Sequence, residues 1–286
     1  MLFRSESTGS RSLFVEAGIS GLIGIDITPE LGLKVAEAYG SLMPKGAHVV
    51  VTRDSSAAAR MIKRAMVAGL NAAGIHVRDL RVASPAVSRF TTQKTRCTGG
   101  IHVQLAQGDP QSLEIRFFDR NGLDIAPWEQ KKIERLYYRG EFRRAFFNEI
   151  GEIVYPPRPL EYYSAALEDA IAEAGFGDRW GTVVADMGCG TASIVLPLVA
   201  RNWRLNLIAM NAVVDTESAA LGCGEPTTAS LDELRRSIEV FGADLGVIFD
   251  AGAERVRLMT RSGDLLKGDT AMHAVIELWC RTRSAE

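Results

Sequence analysis

The stretch GGIHVQLAQGDPQSLEIRFFD, residues 99–119, decides how the first half of this 286-residue chain folds. Apolar and polar residues alternate over Leu113–Phe118, which is typical of a half-exposed strand. Ile101–Leu105 is a second candidate strand just before it. The stretch therefore predicts two neighbouring strands joined by a polar loop that contains Ala106.

A βαβ unit precedes this stretch. His48–Thr52 is an apolar candidate strand, and Ala57–Ala73 carries an apolar stripe with the spacing of an amphipathic helix. Gly74 ends that helix, and Ile75–Val77 begins the next strand. We expect the two strands to be parallel, with a right-handed crossover.

Further helices are predicted on both sides of these strands. Thr28 and Pro29 are an N-cap and a first-turn proline, so a helix is expected over Pro29–Leu42. A charged helix is expected over Pro127–Phe147. Three prolines within Tyr155–Pro159 indicate a stiff connector, because proline neither continues a helix nor donates to a sheet.

The connector divides the chain into predicted domains 1–155 and 156–286. Strands and helices alternate in the second domain as in the first, so the fold class is α/β, with two three-layer α/β/α domains and mixed, mainly parallel sheets. The strands are expected near Thr182–Asp186, Arg204–Ala209, Asp244–Phe249 and Arg255–Thr260. The helices are expected near Leu160–Ala174, Ser193–Arg201, Leu231–Phe241 and Asp269–Arg281.

Composition excludes several classes of function. The net charge of -2 gives no long-range attraction to nucleic acid or to an anionic membrane, and no apolar run is long enough to span a bilayer. The polar N-terminus and four scattered cysteines favour a reduced, cytoplasmic protein. The four histidines show no metal-ligand spacing, so core or surface roles are expected for them.

The segment Asp186–Thr191, DMGCGT, lies between a strand and a helix. It resembles the first motif of S-adenosylmethionine-dependent methyltransferases, in which glycines let the backbone approach the cofactor. Ala192 replaces the third glycine of the motif. The next strand also does not end in the acidic residue that would bind the ribose hydroxyls of the cofactor. The methyltransferase interpretation therefore stays a second alternative.

The segment Phe249–Arg255, FDAGAER, follows a predicted strand and contains two carboxylates, Asp250 and Glu254. A Mg²⁺ ion prefers several anionic oxygens in octahedral geometry. Two carboxylates make a weak candidate site, and a structural turn is the competing interpretation. No other cofactor is expected.

Five segments in the same order resemble the α-D-phosphohexomutase superfamily, of phosphomannomutase and phosphoglucomutase type. They are GISGLIG (18–24, family GTSGIRG), ITPEL (27–31, LTPE), VVVTRD (49–54, VVVGRDT), residues 99–119 (GGI-x-x-TASHNPxxxNGIKF) and 249–255 (FDGDADR). The resemblance implies domains I and II of that fold. It also identifies 99–119 as the phosphoserine loop and 249–255 as the metal loop.

Both loops depart from the family pattern at the positions that carry chemistry. The resemblance puts the phosphorylated serine at Ala106, the following histidine at Gln107 and the lysine at Arg116. Ile23 occupies the position of a family arginine. Of the three aspartates in the family's metal loop, this chain keeps only Asp250. These substitutions predict that the chain lacks phosphomutase activity, because each such group typically contributes about 10²–10⁴-fold to the rate.

Two further functional expectations follow from the resemblance. The nearest subgroup is the phosphomannomutase-like region that follows a mannose-1-phosphate guanylyltransferase in some bacterial fusion proteins. This implies a role in nucleotide-sugar (GDP-mannose) metabolism, with a nucleotidyltransferase or a second copy as partner. The chain is also expected to end inside the helix that would open a third domain.

The alternative is an active sugar-phosphate phosphotransferase with a displaced mechanism or with domains supplied by a partner. In that case Arg53, Arg116 and Arg255 are the candidate ligand-binding residues, Asp250 and Glu254 the candidate metal ligands, and Arg116 and Gln107 the candidate catalytic groups.

Overall fold

The chain divides into two compact units, Met1–Pro157 and Arg158–Glu286. The computed structural model describes residues 12–15, 18–173, 181–203, 205–215 and 224–283. The division falls within the proline-rich connector, two residues after the predicted boundary at 155. Within the described ranges, no helix is long and apolar enough to cross a lipid bilayer.

Unit 1 is built around a six-stranded mixed sheet with the spatial order β1-β5-β4-β2-β3-β6. Its strands are β1 (Gly18–Leu22), β2 (His48–Arg53), β3 (His76–Val82), β4 (Gly99–Ala106), β5 (Asp109–Phe118) and β6 (Ile153–Val154). Its helices are α1 (Pro29–Ser41), α2 (Ala57–Ala72), α3 (Pro85–Lys94) and α4 (Pro127–Arg139). The pairs β1/β5 and β5/β4 are antiparallel, and the other three are parallel.

The helix starts follow the capping residues in the sequence. The Thr28 hydroxyl accepts a hydrogen bond from the Leu31 amide at the start of α1, and Ser56 does the same for Ala59 at the start of α2. These caps satisfy amide groups that have no partner within the helix. The predicted βαβ unit is confirmed, because β2 and β3 are parallel neighbours.

In unit 1 one predicted helix was too long and another helix was missed. Helix α4 ends at Arg139 rather than Phe147, because Gly140 adopts a left-handed conformation with φ 66° and terminates it. The following segment is irregular and is tied down by Arg143, whose guanidinium donates to the carbonyls of Gly40, Met43 and Ala73. Helix α3 was not predicted, although Ser84 caps it.

Helices cover both faces of the first sheet. On the face that contains Ile101 and Phe117, the ring of Tyr39 from α1 packs edge-on against Phe117, with 5.2 Å between centroids. On the opposite face the Arg89 guanidinium of α3 lies 4.2 Å from the centroid of the Phe118 ring. Unit 1 is therefore a three-layer α/β/α domain.

Unit 2 has a five-stranded sheet with the order β11-β10-β9-β7-β8. Its strands are β7 (Thr182–Asp186), β8 (Asn206–Met210), β9 (Leu245–Phe249), β10 (Val256–Thr260) and β11 (Leu265–Leu266). Its helices are α5 (Pro159–Glu173), α6 (Ala192–Asn202), α7 (Thr228–Phe241) and α8 (Gly268–Arg283). The strand pairings are half parallel and half antiparallel, so this sheet is mixed without being mainly parallel.

Separate apolar clusters lie on the two faces of the second sheet. Val184 and Ile248 pack with Leu234 and Ile238 of α7. Ala185 and Val247, one residue along each strand, pack with Ala192 and Leu196 of α6. Because successive strand residues face opposite sides, this alternation gives three layers again.

Candidate functional site

The segment that resembles a phosphoserine loop is a closed β-hairpin. Ala106 pairs with Asp109, so only Gln107 and Gly108 form the turn, and Gly108 adopts a left-handed φ of 80°. The strands are longer than predicted and replace most of the expected loop. Leu105 and Leu113 face each other across the pair and are both buried. The apolar side chains of the hairpin are thus buried in the core, and the strand register shifts between Leu105 and Ala106.

A buried carboxylate fixes this hairpin. Asp54, directly after β2, accepts hydrogen bonds from the Leu105 amide at 2.7 Å and from the amide and hydroxyl of Ser56 at 2.8 and 2.7 Å. Burial raises the pKa of the Asp54 carboxyl, while these hydrogen bonds act in the opposite direction. Asp54 thus ties the end of β4 to the start of α2.

The serine of the hairpin is also engaged. Ser112 is buried, and its hydroxyl donates to the Asp109 carboxylate at 2.6 Å. The hydrogen bond from Ser112 lowers the pKa of Asp109. A carboxylate with a lowered pKa is a weak base, so this contact orders the turn and does little to activate the hydroxyl.

A continuous chain of polar side chains crosses the sheet beside the hairpin. We call Thr52, His102, Gln104, Glu114 and Arg116 the polar ladder. The successive contacts are Thr52 Oγ1 to His102 Nδ1 at 2.7 Å, His102 Nε2 to Gln104 Oε1 at 3.1 Å, Gln104 Nε2 to Glu114 Oε2 at 3.2 Å and Arg116 Nε to Glu114 Oε1 at 3.0 Å.

The directions of the hydrogen bonds along the ladder determine the protonation state of His102. Glu114 accepts from the Gln104 amide nitrogen, so the Gln104 oxygen faces His102, where it can only accept. His102 must therefore carry its proton on Nε2, and Nδ1 accepts from the Thr52 hydroxyl. Burial lowers the pKa of His102 to about 3, which keeps the ring neutral.

Arg116 and Arg53 do not share a face of the sheet. Arg116 pairs with His102 in the β4/β5 register, whereas Arg53 pairs with Val103, one residue along β4. Adjacent strand residues point to opposite faces, so Arg53 lies on the α2 side and Arg116 on the polar-ladder side. The Arg116 charge is moreover compensated by Glu114. Gln107 lies half-buried in the turn.

In unit 2 the glycines of DMGCGT serve loop packing. A side chain on Gly190 would come within 2.3 Å of the Ala251 carbonyl oxygen, and one on Gly188 within 2.8 Å of the Phe249 carbonyl oxygen. Thr191 donates to the Ala251 carbonyl through its amide at 2.9 Å and its hydroxyl at 3.2 Å. The two loops occupy the carboxyl edge of the sheet, where a cofactor would approach, which disfavours the methyltransferase interpretation.

The segment that resembles a metal loop is held by its own backbone. Asp250 Oδ1 accepts from the amides of Glu254 and Arg255 at 2.8 and 3.1 Å. Across the described ranges, no group of three or more histidine, cysteine, aspartate or glutamate side chains is arranged to hold a metal ion. One of the two candidate carboxylates, Asp250, is therefore engaged with backbone amides, as in a structural turn. Arg255 is exposed at the end of this turn.

Comparison with known proteins finds relatives of the same fold. A family model described as phosphoglucomutase/phosphomannomutase, alpha/beta/alpha domain I, matches residues 11–144, which is most of unit 1. With the similarities below, which cover most of this chain, this match shows that the chain is similar to sugar-phosphate mutases of the phosphohexomutase superfamily.

Individual relatives extend the similarity through both units. The probable phosphoglucosamine mutase of Pyrococcus horikoshii is 29% identical over 262 residues, which is 92% of this chain and 56% of that protein. That of Pyrococcus furiosus is 31% identical over 88% of this chain and 54% of its own length. The phosphoglucomutase/phosphomannomutase of Thermococcus kodakarensis is 28% identical over 93% of this chain and 59% of its own length. The chain thus spans a little over half the length of these relatives.

Solved structures show the same architecture. A phosphoglucomutase/phosphomannomutase family protein from Burkholderia thailandensis has a TM-score of 0.71 at 19% identity, covering 87% of this chain and 55% of that one. The Paramecium phosphoprotein pp63/parafusin has a TM-score of 0.62 at 15% identity, covering 90% and 53%. At these identities the likeness establishes the α/β fold alone.

Sequence reasoning missed the polar ladder. His102 was expected to have a core or surface role, and its link to Gln104, Glu114 and Arg116 was not foreseen. The signal was present, because polar residues alternate with apolar ones along both β4 and β5. Only the antiparallel register shows that these polar positions face one another.

Proposed function

We propose that this chain is a phosphohexomutase-like module of carbohydrate metabolism without phosphomutase activity of its own. The observation that carries the proposal is the hairpin at Ala106. The position that aligns with the phosphorylated serine has no hydroxyl, and the two-residue turn leaves it paired with Asp109. The other groups that the family mechanism needs are substituted or engaged, as Arg116 is by Glu114.

The direct test measures phosphoryl transfer. The purified chain is incubated with a hexose 1,6-bisphosphate and assayed with mannose 1-phosphate and glucose 1-phosphate, beside the Thermococcus kodakarensis relative as a positive control. We expect no turnover and no gain of a phosphoryl group in the intact mass. Ala106→Ser is expected to stay inactive, because one hydroxyl restores neither the metal loop nor the acid–base groups.

The opposite outcome would support the displaced mechanism. Turnover that disappears in Arg116→Ala, or a phosphoryl group mapped to Ser112 and lost in Ser112→Ala, would contradict the proposal. Ser88→Ala is a matched control, because this buried hydroxyl has no hydrogen-bond partner among the described residues and lies outside the hairpin.

We further propose that the module works in the cytoplasm in nucleotide-sugar metabolism, next to a mannose-1-phosphate guanylyltransferase or a second copy of itself. The support is the resemblance of the sequence and the exposure of Met272, Val275 and Ile276 along α8. The side chains of Leu278 and Trp279, predicted for the same stripe, lie outside the described residues. Light scattering of the chain alone and mixed with the guanylyltransferase tests this, and a monomer in both would contradict it.

A further inference from the structure

Arg53, Arg60 and Arg64 form a basic patch in unit 1, which we call the arginine cluster. Arg60 and Arg64 are exposed one turn apart on α2, and Arg53 ends β2 on the side of the sheet that α2 covers. Residues four apart on a helix are neighbours on its surface. The cluster lies on the opposite side of the sheet from Arg116 and the polar ladder.

The nearby carboxylates are already engaged. Lys63 Nζ donates to both carboxylate oxygens of Asp79 at 2.5 Å. Asp79 also accepts a hydrogen bond from the Arg81 amide at 2.7 Å. Asp54 accepts from Leu105 and Ser56, as described above. No acidic residue occupies the first turn of α2. These acids act on Arg53 through their charge, but their hydrogen bonds go to other groups.

Within the described part of the chain, none of the three guanidinium groups forms an ion pair with a carboxylate. Arg53 is half-buried, and its guanidinium makes one hydrogen bond, from Nη1 to the Asp54 carbonyl at 2.6 Å. Burial and the positive charges of Arg60 and Arg64 lower the pKa of Arg53. A guanidinium group has five donors, so most of those on Arg53 are left for a ligand.

We propose that the arginine cluster is a binding site for a phosphate group with two or more negative charges, separate from the Ala106 hairpin. The paired N–H donors of a guanidinium group match the oxygens of a phosphate group. Several guanidinium groups can bind one tetrahedral anion from different directions. This site goes beyond the proposed function, because it needs no residue of the hairpin or of the loop at Asp250.

Calorimetric titration of the full chain with inorganic phosphate and with pyrophosphate tests the site. We expect pyrophosphate to bind more tightly than phosphate, and Arg60→Ala/Arg64→Ala to weaken pyrophosphate at least about tenfold, as loss of charge-assisted hydrogen bonds does. Arg135→Ala/Arg139→Ala removes two exposed arginines with the same spacing from α4 and is expected to leave binding unchanged.

Three outcomes would overturn the proposal. The first is that the natural chain does not bind pyrophosphate. The second is that the α4 control loses as much pyrophosphate affinity as Arg60→Ala/Arg64→Ala. The third is that citrate binds as tightly as pyrophosphate, which would indicate a non-specific basic surface. Circular dichroism checks that both variants stay folded. The measurement is of binding alone, so its failure is distinct from an unexpected result in the phosphomutase assay.

Discussion

Individual residues in the polar ladder show how a strand can carry buried polar groups without losing stability. His102 and Gln104 are almost completely buried, yet each has hydrogen-bond partners on both sides. A buried polar group without a partner costs about 1–3 kcal/mol. Because the ladder is satisfied, it specifies the register of β4 against β5 as well as stabilising it.

The titration of His102 gives a prediction about pH. In the folded chain its pKa is about 3 against an ordinary value of 6.5, so between these values the unfolded chain binds one more proton. The free energy of unfolding should therefore fall as the pH drops below 6.5, with a contribution from His102 of about 1.4 kcal/mol per pH unit. Urea unfolding at a series of pH values measures this slope.

His102→Gln supplies the control, because it puts an amide that does not titrate in place of the imidazole and keeps a hydrogen-bonding group in the ladder. We expect this variant to be less stable at neutral pH and to show a shallower slope below it. If both proteins lose stability equally with acid, His102 does not carry the effect.

At the scale of elements, most helices and strands follow from local pattern. Capping residues and apolar periodicity predict α1, α2, β2 and β7 to within one residue. Helix α3 was missed because its sequence, PAVSRFTTQK, is polar and rich in threonine. Helix α4 was predicted too long because the apolar residues after Gly140 continue, while the backbone at Gly140 turns.

The loop that contains Gly190 gives a prediction at this scale. Gly190→Ala would push a methyl group against the Ala251 carbonyl, so the free energy of unfolding of unit 2 should fall by about 1–3 kcal/mol or more. Gly224→Ala is the matched control, since a side chain there meets no atom of the described residues within 4 Å. Chemical denaturation of the two variants compares them, and equal stabilities would show that the loops do not pack as described.

At the scale of the whole molecule, each unit has its own sheet, its own buried apolar residues and helices on both faces of the sheet. The proline-rich connector that divides them was evident in the sequence. A domain with a complete core can fold without the rest of the chain.

We therefore expect residues 1–157 to fold when expressed alone. The isolated unit should unfold cooperatively and protect the amides of β2 and β4 from hydrogen exchange as the full chain does. A fragment that ends at Ala106 is the control, because it lacks β5, which pairs with both β1 and β4. Failure of residues 1–157 to unfold cooperatively would mean that unit 1 depends on unit 2.

The sequence by itself determined the α/β class, the position of the connector and the family resemblance, because capping, periodicity and motif order are local properties. It also showed that Ala106 has no hydroxyl. Only the tertiary structure decided that the loop around Ala106 closes into a hairpin, that Arg53 and Arg116 lie on opposite faces, and that the DMGCGT glycines pack against residues 249–251. These depend on strand register and loop contacts between residues far apart in the chain, which no local pattern specifies.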